Sequence, residues 1–545
     1  MNETSRLRQY TIAYLVGVFL WAVAGFWVVP RVLVNQRSTE GLPAVAHWVQ
    51  QLGVQTPNQV ERVWRKLHWA SLVVLLAPPL FLAGPRRLGQ SLFDRFVGEA
   101  TPEVLGGLRC WVFLILAFHV FSQDLPGIAL LPPQLRRPMG VMSVFHSLPG
   151  WDAMYTNARA LTGLKLLTLA TMSAAMLGWK TRWSVPCAAL LGLICGGILR
   201  EYSHFFHQYL VPMQLAVLLS FLPCGDGFSV DQFLRRKRGE GEPPRSPALY
   251  GWSRYACWIL IAGSYVSAGL SKLRNGGLLW WNGLNLKNII LTHTLEPKQY
   301  EWGLEQFLTG LPLEFFAVLG LAGLMTELLY GLVLLSRRAR LVMPILAVGL
   351  HVGIMIFQGI LFLDLILIQA IFLFDFWTGS STRVGEMVPE NQDWDGSTAA
   401  APHRHGFRFC LGCLMFVLFC WILLLERYPA TAWQMFSNTR KSDLIRWHKI
   451  FAVFADGHRE EANPEEWIGA LAVTRYSEFL RRDTAEKEVF FEAALSQMNL
   501  SRPQNPIVSL EVVDYAWHFL SPAAGPQFGT IDHVWKYPVT LPTDD

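Results

Sequence analysis

WSRYACWILIAGSYVSAGLSKLRNGGLLWWNG, residues 252–283, decides what kind of fold this chain adopts. Most of the stretch is apolar. It carries Gly263, Ser264, Ser267, Ala268 and Gly269, small residues that let helices approach closely inside a bilayer. The run ends at Lys272 and passes through Gly276-Gly277 into Trp280-Trp281, aromatic residues suited to a membrane–water interface. An ammonium at such a helix end is either an anchor reaching for headgroups or a functional amine. Desolvation favours the neutral amine, which can act as a general base or nucleophile.

The composition extends this reading outward. Of 545 residues, 52% are hydrophobic and only 16% charged. A soluble chain has about 25% charged residues, so most of this one belongs in lipid. Apolar stretches lie at 10–29, 69–84, 108–122, 161–177, 184–199, 206–223, 253–270, 312–335, 341–357, 360–376 and 407–424. A span needs about 20 apolar residues, and the expectation is about 11 transmembrane helices. The fold class expected is an all-α polytopic membrane protein with a small C-terminal α+β extramembrane domain.

Charge orients the chain. Arg6 and Arg8, Arg86-Arg87, Lys180 with Arg182, Arg235 to Arg238, and Arg337-Arg338 with Arg340 all fall on one side of the expected spans. The positive-inside rule makes that side cytoplasmic; the basic residues of the 30–68 loop run against it. The protein is thus expected as a multi-pass protein of the cell (inner) membrane. His204, His207, Lys272 and everything after Arg427 then face outward. A net charge of +5 contains no basic run long enough for nucleic acid.

The expected organisation is an N-terminal extension with two spans (1–104), a transmembrane core (105–377), a polar cytoplasmic linker (378–406), a last span (407–427) and an outer domain (428–545). In that domain, 447–454 and 507–520 read as strands, Asp456-Gly457 as a turn, and 484–499 as an amphipathic helix. All eight cysteines fall at or before Cys420. Cys410-x-x-Cys413 opens an apolar helix and lacks the second pair of a zinc site, so it reads as packing; no metal is expected.

Beyond Lys272, four residues have chemical potential. His204 and His207 share one helical face if a helix already begins there, although two histidines without a matching carboxylate are weak metal ligands. Glu327 and His351 each interrupt an apolar span, which marks them as functional candidates or as partners for each other.

Several motifs in order resemble the HTTM (horizontally transferred transmembrane) family, which includes the vitamin K-dependent gamma-glutamyl carboxylases. They are His207-x-Tyr209-Leu210, then Ser229-Val230-Asp231, then Ala268-Gly269-Leu270-Ser271-Lys272-Leu273 and Trp281-x-Gly283. Glu327 before the Arg337–Arg340 turn and His351 follow, and Trp433-x-Met435-Phe436-Ser437 closes the series. The resemblance implies a catalytic Lys272 that deprotonates a quinol, with His207 assisting. Substrate-binding roles are expected for His204, Glu327, His351 and Trp281, and the resemblance implies reduced vitamin K or menaquinone as the cofactor. The implied partners are the lipid bilayer, a lipophilic small molecule and an extracytoplasmic protein or peptide. Ser271 stands where the carboxylases have the first lysine of a pair, and only the residues after Arg427 are left for an outer region. The expected function is therefore carboxylase- or epoxidase-type chemistry (a carbon–carbon lyase) on a lipophilic quinol. The alternative is a non-catalytic membrane scaffold or lipid-binding protein presenting its tail outside. A transporter would need matched halves with broken spans, and Pro212 and Pro344 alone do not supply them.

Overall fold

The computed structural model describes residues 86–202, 206–240, 245–296, 299–374, 396–437, 439–440, 442–462, 479–480, 484–500, 502–521 and 529–538, with single positions at 14, 17, 18, 20, 21, 68, 71 and 75. The principal helices are α1 (Pro102–Ser122), α2 (Ala158–Leu177), α3 (Thr181–Glu201), α4 (Leu210–Leu219), α5 (Pro247–Gly276) and α6 (Gly283–Leu295). They continue as α7 (Leu313–Leu329), α8 (Ala339–Gln358), α9 (Leu363–Leu367), α10 (Gly396–Leu423) and α11 (Thr484–Leu500). Among the described residues, 7 helices are long and apolar enough to cross a membrane, which makes the molecule a multi-pass membrane protein. They lie where seven of the expected spans were placed.

The expected count of about 11 is not reached among these residues. The stretch 206–223 forms α4, whose ten residues rise about 15 Å, half of a hydrocarbon core of about 30 Å. It starts late because Tyr209 takes a left-handed φ of 62°, held by its N–H donating to Asp364 Oδ2 at 2.8 Å. The stretch 360–376 is broken into α9 and a 3-10 segment, Ile368–Leu373. The spans expected at 10–29 and 69–84 fall outside the described residues, apart from the single positions. Helix α10 begins at Gly396, inside the segment expected as linker; 378–395 lies outside the described residues.

Local signals set the helix ends. Asn157 caps α2 by accepting from Arg159 N and Ala160 N, and Gly178 closes it in the left-handed region. Asp231 accepts from Lys180 N, Thr181 N and Thr181 Oγ1 at 2.7–2.8 Å, satisfying the otherwise orphaned start of α3. Ser229 caps the short helix Val230–Lys237 through Gln232 N.

Helix α5 is the axis of the bundle, and its small residues explain why. A Cβ on Gly263 would stand 2.8 Å from Val417 of α10, and one on Gly269 would stand 3.0 Å from Leu328 of α7. The two glycines therefore admit two different neighbours, one on each side of α5. Cys410 donates to the Trp252 carbonyl along the α5–α10 seam, and all eight cysteines are free.

The tail folds as a four-stranded antiparallel sheet in the order β2-β1-β3-β4: β1 (Leu444–Phe454), β2 (Arg459–Glu461), β3 (Ile507–His518) and β4 (Thr530–Pro538). Helix α11 covers one side with Phe490, Phe491, Leu495 and Met498. On α6, Leu286, Ile290 and Leu291 form a second core with Ile445, Trp447, Trp517 and Phe519. Asn288 of α6 donates to the carbonyls of Ser442 and Leu444, both at 3.0 Å. The domain thus sits on the end of the bundle where α5 delivers Lys272.

Candidate active site

Lys272 is buried, one turn beyond Gly269, so the close approach that Gly269 permits brings α7 against it. Its Nζ donates to both carboxylate oxygens of Glu327, at 2.6 and 2.7 Å, and lies 5.2 Å from the Trp280 ring centre. The side chains of Lys272 and Glu327 are only 4% and 9% exposed, so the two charges neutralise each other away from water. The sequence suggested either an anchoring lysine or a desolvated lone amine. The fold provides a third arrangement, an ammonium and a carboxylate held as a buried ion pair.

His351, from α8, does not meet Glu327. Its Nε2 lies 2.7 Å from the Tyr265 hydroxyl of α5, and its Nδ1 is buried without a hydrogen-bond partner among the described residues. Lys272, Glu327 and His351 nevertheless line one cavity of about 470 Å³. That volume lies in the range of small-molecule sites, roughly 300–1,000 Å³. Most of the remaining wall is apolar, with Leu286, Ile289, Leu319 and Leu350 among its members, while Gln358 adds an amide whose Oε1 has no partner among the described residues. Glycines 349 and 353 also line the cavity and face open space, and the neighbouring wall residues Ile345 and Leu346 are exposed on the outside of the bundle. The cavity therefore reaches the flank between α7 and α8, where lipid chains would lie.

The segment after the last span closes the cavity. Met435 and Phe436 line it. Their loop is tied down by Trp280 Nε1 donating to the Phe436 carbonyl (2.8 Å), Ser271 Oγ to that of Ala432 (3.1 Å), and Asn275 Nδ2 to Ser437 Oγ (2.7 Å). Trp433 and Phe436 are held at left-handed φ values of 55° and 50°, a conformation that side-chain-bearing residues adopt only when their surroundings impose it. His207 belongs to this support. Its Nε2 lies 3.3 Å from Glu426 Oε2 and its ring 5.5 Å from that of Trp433. Glu426 in turn accepts from Thr431 Oγ1 at 3.0 Å.

The other expected residues are placed as follows. His207 lies in the coil before α4, not on a helix, and is not part of the cavity wall. His204 falls outside the described residues. Trp281 is 37% exposed and outside the wall, whereas its neighbour Trp280 is buried in it. Sequence reasoning passed over Trp280, Gln358, Tyr265 and Gln369. A lone amide within an apolar stretch was the available signal for the two glutamines.

The family comparison now has a geometry to explain. Residues 151–376 match the family model of the HTTM domain. This chain carries an HTTM domain. Comparison with curated proteins and with solved structures found no match. The HTTM domain supplies Lys272, Trp280, Glu327 and His351, whereas the Met435-Phe436 cover comes from beyond the matched segment.

Proposed function

We propose that this protein is an integral membrane enzyme acting on a lipophilic quinol or similar substrate, with chemistry of the vitamin K-dependent carboxylase or epoxidase type. One observation carries the reading: the Lys272–Glu327 pair lies buried in a cavity that opens toward the lipid flank of the bundle. A quinol entering between α7 and α8 gives up its O–H proton to that pair, and the electron pair stays on oxygen. The pair, an ammonium and a carboxylate at rest, then stands as ammonium and carboxylic acid. Oxygen is the co-substrate and oxidant: one of its atoms would enter the epoxide and the other would leave as water with the two quinol hydrogens. The apolar wall seats the ring and chain, and the Met435-Phe436 loop keeps water from the base. His207 acts through that loop as a positioning residue. The HTTM match, and the resemblance of the motifs around Lys272 to the carboxylases, support the substrate class.

The bundle end that bears Lys272 also carries the tail domain, and Arg235 to Arg238 and Arg337-Arg338 lie at the other end. By the positive-inside rule the site and tail face outward from the cell (inner) membrane. The test uses purified protein in detergent with reduced menaquinone or vitamin K, oxygen and bicarbonate, following the epoxide by chromatography. Epoxide from wild type and none from folded Lys272→Ala is the expected result. A folded wild type that forms no epoxide refutes the quinol assignment and leaves the scaffold alternative.

A further inference from the structure

A chain of hydrogen bonds runs from the cavity into the middle of the bundle, and its polarity is forced at one end. Gln369 has one nitrogen contact that admits no ambiguity: Nε2 lies 2.8 Å from the Leu365 carbonyl, which can only accept. The amide nitrogen is thereby fixed, and its oxygen faces the Tyr330 hydroxyl, which must donate to it. The second Nε2 hydrogen goes to the Tyr265 oxygen at 2.9 Å. Tyr265 has then accepted one bond, and its own hydrogen is directed to His351 Nε2, 2.7 Å away. Nε2 is the acceptor, so the neutral imidazole carries its proton on Nδ1. The reverse tautomer would leave both the Tyr265 hydrogen and Nδ1 without partners in a buried site. The forward one leaves only Nδ1–H.

We propose that His351 is a neutral hydrogen-bond donor, offering Nδ1–H to an oxygen of the cavity's ligand, and that Tyr265 and Gln369 are positioning residues that fix this tautomer. The inference rests on the cavity being the substrate site and narrows what it takes: a carbonyl, phenol or phenolate oxygen. When the Lys272–Glu327 pair removes the proton from a quinol, the oxyanion left behind is a stronger acceptor than the hydroxyl was. A preorganised donor therefore stabilises the product of that step more than its reactant. His351 does not take the proton itself, because Nε2 is already occupied by Tyr265.

The tautomer can be read without any ligand. Full-length protein in lipid nanodiscs, labelled with nitrogen-15 in its histidines, is examined by solid-state magnetic resonance, and His351 is assigned by the signals lost in His351→Gln. The expected wild-type result is a neutral ring protonated at Nδ1; a ring protonated at Nε2, or at both nitrogens, overturns the proposal. In folded Tyr265→Phe the Nδ1–H preference should be lost, and menaquinone should bind about ten-fold more weakly, the loss of roughly one well-placed hydrogen bond. Gln369→Leu serves as a second variant with the same expectation. Menaquinone affinity and tautomer unchanged in both variants would also overturn it. A wild type with the Nδ1–H tautomer that binds no menaquinone supports the tautomer assignment and refutes the quinol reading, so the two failures are distinguishable.

Discussion

The Lys272–Glu327 pair makes a sharp energetic prediction. Both side chains are more than nine-tenths buried, and the ammonium meets both carboxylate oxygens at 2.6 and 2.7 Å. Removing one partner leaves the other charge buried without compensation, which costs roughly 3–5 kcal/mol. Removing both and filling the space with apolar side chains is neutral or stabilising by about 1–4 kcal/mol. Lys272→Met and Glu327→Leu should therefore each destabilise the protein strongly, while the double variant should be at least as stable as wild type. The coupling would exceed the roughly 0.5–3 kcal/mol found between ordinary neighbours. Loss of the Trp280 contact, 5.2 Å from Nζ, adds to the Lys272→Met penalty but not to that of Glu327→Leu. The assay is denaturant unfolding of the four proteins in one detergent, followed by tryptophan fluorescence. Two single variants within about 1 kcal/mol of wild type, or a double variant that sums their losses, would refute the buried-pair reasoning. All three variants should lack turnover, which separates the role in chemistry from the role in stability.

Three further outcomes are expected. Gly353→Trp, at a cavity-wall position with open space around it, should block ligand binding while moving the thermal midpoint little; undiminished menaquinone binding would contradict the lateral opening. Gly140→Ala should destabilise by at least about 1–2 kcal/mol from its left-handed φ alone. Its φ is 58°, and the new Cβ would stand 2.1 Å from the Tyr428 carbonyl, so a wild-type unfolding midpoint would contradict the geometry. In the tail, Lys536 donates to Glu511 Oε1 at 2.7 Å and Arg459 lies 3.1 Å from Oε2, holding the Glu511 carboxyl below its usual range. A depressed carboxyl pKa stabilises the fold above the unfolded value and loses that contribution as pH falls through the folded one. Protection factors in β3 and β4, taken relative to the intrinsic exchange rate at each pH, should thus fall on acidification below about pH 4, and Glu511→Gln should flatten the response.

The sequence identified Lys272, Glu327 and His351 separately because each is an ionisable group whose placement in an apolar stretch needs a reason. It did not say that Lys272 pairs with Glu327 while His351 pairs with Tyr265. Those partners lie 55 and 86 residues apart, and only the helix crossings decide between them. His207 was legible as a polar group at a helix end. Its attachment to Glu426 was not, because 219 residues separate the two.

The sequence by itself determined that this is a polytopic helical membrane protein, because apolar run length and charge scarcity act locally along the chain. It also determined the tail's two long strands and its helix, whose periodicities are equally local. Tertiary structure decided which apolar runs become full spans: Tyr209 and its bond to Asp364 shorten α4, and the break after Leu367 interrupts the next. It decided too that Trp280 rather than Trp281 faces the cavity, since the turn after Gly277 sets their direction. The site is made where α5, α7 and α8 converge under the Met435-Phe436 loop. Its chemistry depends on who neutralises whom in a place without water, and that is fixed by distances across the bundle, not by order along the chain.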